Sequence, residues 1–176
     1  MSEKLIVYDT DCLSCFITIN DTSVLEELYE TIIIPQMVYK EFNRRNTQYL
    51  KKRVDKLIEK GFIIKLDIKP NSKEDYTYKS LKNGDITGKD LGRGESAALT
   101  FAIHNNYIIA SNNTSDVIEV VEKFELDWIR TGDILIKALK KGIITEDEGN
   151  KLWVKMLKAG RYLNPQTFTA YIKQNK

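Results

Sequence analysis

Five short apolar runs rich in branched residues, each followed by a polar break and a stretch of helical periodicity, constrain this 176-residue chain more than any other feature. The runs are Lys4–Tyr8 (KLIVY), Thr31–Ile34 (TIII), Phe62–Leu66, Tyr107–Ala110 and Leu126–Ile129. They are continuous rather than alternating, as in strands buried on both faces, and such strands belong to parallel sheets covered by helices. Helical stretches fall between them at Cys12–Ile19, Ser23–Tyr29, Gln36–Arg45, Tyr49–Lys60, Gly94–Asn105 and Ser115–Phe124, then Thr131–Lys140 and Glu146–Leu157. In the fourth, Val54, Leu57 and Ile58 form one apolar stripe and Gly61 supplies the stop. Lys69–Lys89 is polar, broken by Pro70, Gly84 and Gly88, and reads as a loop with one short helix around Asp75–Lys82.

This alternation predicts an α/β fold of three layers, a central parallel sheet of about five strands with helices on both faces. At roughly 100–200 residues per domain the length predicts a single domain over 1–176. Its core spans about 4–141 and a C-terminal helical extension about 142–176, whose Tyr162, Phe168 and Tyr171 suit stacking on bases, docking a partner or, the favoured reading, covering a sheet edge. An apolar fraction of 42% suffices for a sizeable core and excludes low-complexity classes. There is no apolar run of 18 residues, so no membrane span is expected; MSEKLIVYDTD is wrong for a signal peptide, and two cysteines read as reduced thiols, which together predict a cytoplasmic location.

A net charge of +2 does not announce nucleic acid, but the charge is uneven. Lys40–Lys60 carries a net +5, Asp116–Glu148 a net −4, and Lys151–Lys176 holds six bases and no acid. Two basic arms around an acidic body suit phosphate contacts, and equally suit solvated helix faces.

In parallel α/β sheets the ligand site lies beyond the carboxyl ends of the strands. Asp9 and Asp11 follow the first strand, Glu41 lies in IIIPQMVYKEF after the second, and Glu95 opens a helix in DLGRGESAAL. Three carboxylates from distant segments suit one hard cation, Mg²⁺ or Mn²⁺, and the chemistry such a site serves is phosphodiester hydrolysis. Thr10 either holds a carboxylate or a metal-bound water, or caps the next helix; Asp11 is an N-cap or an auxiliary acid. Arg44, Arg45 and Arg93 either reach substrate phosphate or lie on solvated faces. Cys12 and Cys15 form a CxxC that reads as core packing before redox chemistry, His104 as a surface residue, and Trp128 and Trp153 as core.

At these residues the sequence resembles the PIN-domain family of metal-dependent ribonucleases, which includes many toxins of toxin–antitoxin modules. IVYDTDCLSCF, IIIPQMVYKEF and LGRGESAALTFA are similar to its first three acidic segments, and NYIIASNNTSDV with LDWIRTGDILIKALKKGIIT to its closing strand–helix–strand–helix. The resemblance implies an endoribonuclease whose Asp9, Glu41 and Glu95 ligate Mg²⁺ or Mn²⁺, with RNA as substrate, an antitoxin protein as partner, a homodimer, and no membrane. Many members place Asp after the fourth strand where this chain has Ser111, Asn112 and Asn113, which makes Asn112 and Asp116 the weaker metal candidates. That departure leaves open a PIN-like nucleic-acid or protein-binding module with weakened metal binding. LIVYDTDCL also resembles the DxD opening of haloacid-dehalogenase-type phosphatases, although the later acid pair would fall on Asp133 and Lys137.

Overall fold

The computed structural model describes residues 4–175. Five strands, β1 (Ile6–Tyr8), β2 (Ile32–Pro35), β3 (Ile63–Leu66), β4 (Ile108–Ala110) and β5 (Trp128–Ile129), form one sheet in the order β3-β2-β1-β4-β5, every pair parallel. The continuous apolar runs serve both faces. Ile6 and Tyr8 enter one core and Val7 the other; Ile32 and Ile34 alternate with Ile33 in the same way.

On the first face pack α1 (Thr10–Thr18), α2 (Ser23–Leu28), α4 (Gln48–Glu59), α8 (Thr131–Lys140), α9 (Glu146–Lys158) and α10 (Phe168–Gln174). The second face is covered by α5 (Lys73–Lys82), α6 (Arg93–Asn105) and α7 (Thr114–Phe124). The remaining helix, α3 (Gln36–Glu41), directly continues β2 and packs against α6.

Several boundaries differ from the sequence expectation. The short helix expected around Asp75–Lys82 within the long polar segment is α5, which begins two residues earlier at Lys73, with Ser72 accepting from Asp75 N–H as its N-cap. Its apolar content is slight, Leu81 being its one fully buried hydrophobe, so periodicity gave little signal. Helix α3 stops at Glu41 rather than Arg45, and Arg44 and Arg45 lie exposed in the following turn. Trp128 is half-buried at the sheet edge, donating its indole N–H to Ser111 O at 2.9 Å.

The C-terminal aromatics do not cover a sheet edge. Phe168 and Tyr171 are buried against α9 and α8, stacked around Trp153 at centroid distances of 5.9 and 5.4 Å. Two glycines make room for them: a Cβ at Gly149 would stand 2.3 Å from Phe168 Cδ1, and one at Gly132 would stand 2.3 Å from Tyr171 Cε1. The Tyr171 hydroxyl donates to Asp133 at 2.7 Å, while Asp133 also accepts from Arg130 N–H. This occupation of Asp133 removes it from the phosphatase role that the DxD resemblance would require.

Candidate active site

The strand order puts β1 in the middle of the sheet, and the acids gather at its carboxyl end. Asp9 extends the ladder by donating its N–H to Ala110 O at 3.0 Å, and it then caps α1, accepting from Cys12 N–H at 2.8 Å. The cap is therefore Asp9 and not Asp11, which is exposed one residue into the helix. Asp9 is 3% exposed. Burial pushes its carboxyl up to about 7; hydrogen bonds from Ser111 and Cys12 N–H oppose the rise, and the charges of Asp11 and Glu41 add to it.

Glu95 opens α6 on the other side of the sheet and is 9% exposed. Its carboxyl is raised to about 8, first by burial and then by the charges of Asp9, Asp116 and Asp11. The end of α3 delivers Glu41 to the same neighbourhood. Its carboxylate accepts from the Thr10 hydroxyl and from Gly94 N–H at 3.2 Å, so residues beside Asp9 and beside Glu95 both hold it. Thr10 thus acts as a carboxylate holder, not as a cap.

Asp9, Glu41 and Glu95 are electrostatic neighbours, as expected, but they are not drawn into one closed cluster. Among the described residues no group of three His, Cys, Asp or Glu side chains is placed to hold a metal ion. Each is held by hydrogen bonds to its own surroundings, Asp9 by Cys12 N–H and Ser111, Glu41 by Thr10 and Gly94 N–H, and Glu95 by the Gly92 backbone. The donor set itself fits a hard divalent cation. It consists of oxygen, and burial and mutual repulsion hold two of its carboxyls partly protonated near neutral pH, a condition that a cation between them relieves.

The residues after β4 divide the weaker candidates. Asn112 is fully engaged elsewhere: its amide donates to Thr131 Oγ1 at 2.9 Å and to Cys15 Sγ at 3.4 Å, and its carbonyl accepts from Thr131 N–H at 2.9 Å. It ties the end of β4 to the start of α8, so the structure does not turn it toward the acids. Ser111, fully buried, is the residue there that reaches Asp9. Asp116 pairs with Lys89 at 2.7 Å and accepts from the Asn113 amide at 2.7 Å, which hold its carboxyl below the usual range. Its charge still acts on Glu95.

Arg93 is exposed at the first position of α6 and lies near Tyr78, on which Glu41 also acts. Arg44 and Arg45 make no side-chain hydrogen bond among the described residues. Tyr78 and Gly94 are the members of this neighbourhood that sequence reasoning missed. Tyr78 lay on the short helix expected around Asp75–Lys82 with no signal of its own; Gly94, inside LGRGES, carried one, since a glycine within a helix costs about 1 kcal/mol against alanine and needs a reason. Cys12 and Cys15 are buried free thiols with raised pKa, packed as core, and His104 is exposed with its ring beside Thr77 Oγ1 at 2.8 Å.

A family model described as "DUF3368: PIN domain" matches residues 5–176. Among solved structures, the fold is similar to VapBC2 from Rickettsia felis, solved bound to a DNA fragment from its promoter. That match has a TM-score of 0.53 at 17% identity, covering 72% of this chain and 98% of the other. It is similar also to VapBC-1 from nontypeable Haemophilus influenzae, with a TM-score of 0.53 at 15% identity and the same coverage. No curated protein matches the sequence.

Proposed function

The chain belongs to the PIN-domain family, and on that premise we propose that it is a metal-dependent endoribonuclease serving as the toxin of a toxin–antitoxin pair. The observation that carries the reading is the elevation of two buried carboxyls, Asp9 at the end of β1 and Glu95 at the start of α6, with the Asp9 charge acting on Glu95. Perturbed acids at the carboxyl ends of parallel strands are where such sheets place chemistry.

Asp9 and Glu95 would hold Mg²⁺ or Mn²⁺, with Glu41 and Asp116 contributing charge beside them. When bound, such an ion supplies charge stabilisation at phosphate oxygens and acidifies water. The chain's own residues do the rest. Ser111 and Cys12 N–H fix the Asp9 carboxyl, so its oxygens keep one orientation. Thr10 and Gly94 fix Glu41 by the same means. Lys89 balances Asp116, which limits the negative charge that a phosphodiester meets on approach. Arg93, exposed beside the acids, would meet a substrate phosphate; Arg44 and Arg45, one turn beyond Glu41, would add positive charge at greater reach.

The antitoxin partner, a second copy of the chain and a cytoplasmic location belong to the same proposal. The VapBC assemblies among the neighbours in fold bring in the first, and no helix of the described residues is long and apolar enough to cross a membrane. A second reading, a binding module with weakened metal affinity, is favoured by the absence of an acid immediately after β4, where Ser111, Asn112 and Asn113 stand. Incubating single-stranded RNA with the purified chain in Mn²⁺ or in EDTA separates them. Cleavage that requires Mn²⁺ and is lost in Asp9→Asn supports the nuclease; tight metal-independent RNA binding without cleavage supports the module.

A further inference from the structure

Beside the acids a cleft of about 690 Å³ opens between the start of α1, the turn after β4 and the chain leaving α9. Asp11 stands at its edge toward the acids, and Arg130, Arg161 and Tyr162 line it together with Trp153. The two arginines differ. Arg130 is engaged: it donates to Asp133 and to Asn175 Oδ1 and lies over the rings of Trp128 and Tyr171. Arg161 is not engaged. Its Nε is buried without a hydrogen-bond partner, and among the described residues no ion pair involves it. A buried guanidinium N–H left unpaired costs stability, and an anion in the cleft would satisfy it.

The chain presents this group rigidly. Helix α9 ends in a Schellman motif, with Gly160 at φ +80°, Gly160 N–H donating to Leu157 O and Arg161 N–H to Met156 O, both at 3.0 Å. Leu163, 4% exposed, anchors the far side, and Trp153 Nε1 donates to Pro165 O at 3.0 Å. Between these anchors Tyr162 is 83% exposed, a large aromatic held out into solvent at the rim of a cationic cleft.

We propose that this cleft binds single-stranded RNA next to the cleavage site, Arg161 taking a backbone phosphate and Tyr162 stacking on a base. The assignment rests on the ribonuclease reading and adds the path by which the strand reaches the acids. An unpaired cation beside an exposed ring is the pairing that single-stranded recognition uses, phosphate neutralised and base stacked, without sequence readout. A duplex keeps its bases inside the stack and has none to offer Tyr162.

The test measures binding apart from cleavage. Fluorescence anisotropy in EDTA follows a short fluorescein-labelled oligouridylate and an RNA duplex of the same length against the full chain. Tyr162→Ala should weaken oligouridylate binding about fivefold or more, with Tyr162→Phe close to the parent. Arg161→Ala should reduce the slope of log affinity against log salt by about 0.7, one phosphate on a single strand, and Arg161→Lys should keep it. Equal binding of duplex and single strand, no binding by the parent, or variants that bind as the parent does would each overturn the proposal. Cleavage in Mn²⁺ is scored separately. A parent that cuts RNA while the variants bind unchanged removes the cleft and leaves the nuclease; variant-sensitive binding without any cleavage does the reverse.

Discussion

Gly94 lies against the Glu41 carboxylate: its N–H donates to Oε1 at 3.2 Å, and a Cβ on it would come to 3.1 Å from Oε1 and 2.9 Å from Thr10 Oγ1. Three segments remote in sequence thus meet at a point where one methyl group does not fit. Gly94→Ala gains about 1 kcal/mol of helix propensity and displaces Thr10 and Glu41 to make room. Thermal stability should therefore stay within about 1 kcal/mol of the parent, while Mn²⁺-dependent RNA cleavage should fall at least about tenfold. Melting curves and cleavage rates measured on one preparation check both halves.

Asp9→Asn keeps the shape and the acceptor for Cys12 N–H but removes a buried charge. In EDTA at pH 8 the variant should be more stable than the parent, and its RNA cleavage should be lost. Glu95→Gln should behave likewise. A variant that is less stable and yet cuts RNA would show that neither burial nor metal binding is as described.

The pH dependence has a definite sign. Asp9 rises from 3.8 to about 7 and Glu95 from 4.5 to about 8, so between about pH 4 and pH 8 the folded chain holds protons that the unfolded chain has released. Stability contributed by these groups is full below about pH 4 and is lost as pH rises toward 8, each contributing at most about 1.4 kcal/mol per pH unit. Carboxyls held low by partners, such as Asp116, act in the opposite direction, so the measurement is the difference between the parent and the Asp9→Asn or Glu95→Gln variant. Added Mn²⁺ should raise the melting temperature more at pH 8 than at pH 6, because protons compete for the same oxygens.

Replacing Asn112 by Asp puts a carboxylate where family members often carry one, yet the structure predicts harm. Asn112 loses the amide that serves Thr131 Oγ1 and Cys15 Sγ, so stability should drop by about 1–2 kcal/mol with no gain in Mn²⁺ affinity. Calorimetric titration of Mn²⁺ into the variant and the parent decides it.

Gly149→Ala sets a methyl group 2.3 Å from the Phe168 ring. The expected result is undocking of α10 and a loss of about 2–4 kcal/mol, on the scale of exposing a buried aromatic. Chemical denaturation and protease sensitivity near 168–174 measure it.

The layered architecture was legible because parallel strands buried on both faces show as unbroken branched runs, of which KLIVY and TIII are clear cases. The neighbourhood of Asp9, Glu41 and Glu95 was legible from one strand end and two helices, Asp9 just past β1, Glu41 on the helix after β2 and Glu95 at a helix start after the long loop. What failed depended on contacts between distant segments. Asn112 looked available until its amide was seen tied to Thr131, and the aromatic tail looked like an edge cover until Gly132 and Gly149 showed the sockets for it. Helix α5 was legible but its start was not, because its first turn is set by the Ser72 cap and an Asp75–Lys79 pair more than by an apolar stripe.

The docking of α10 also makes the cleft separable from the acids. Tyr171 forms part of the cleft wall and Asn175 secures Arg130, so a helix of seven residues seated on Gly132 and Gly149 decides the shape of that wall. Whatever frees this helix reshapes the groove without touching Asp9, Glu41 or Glu95.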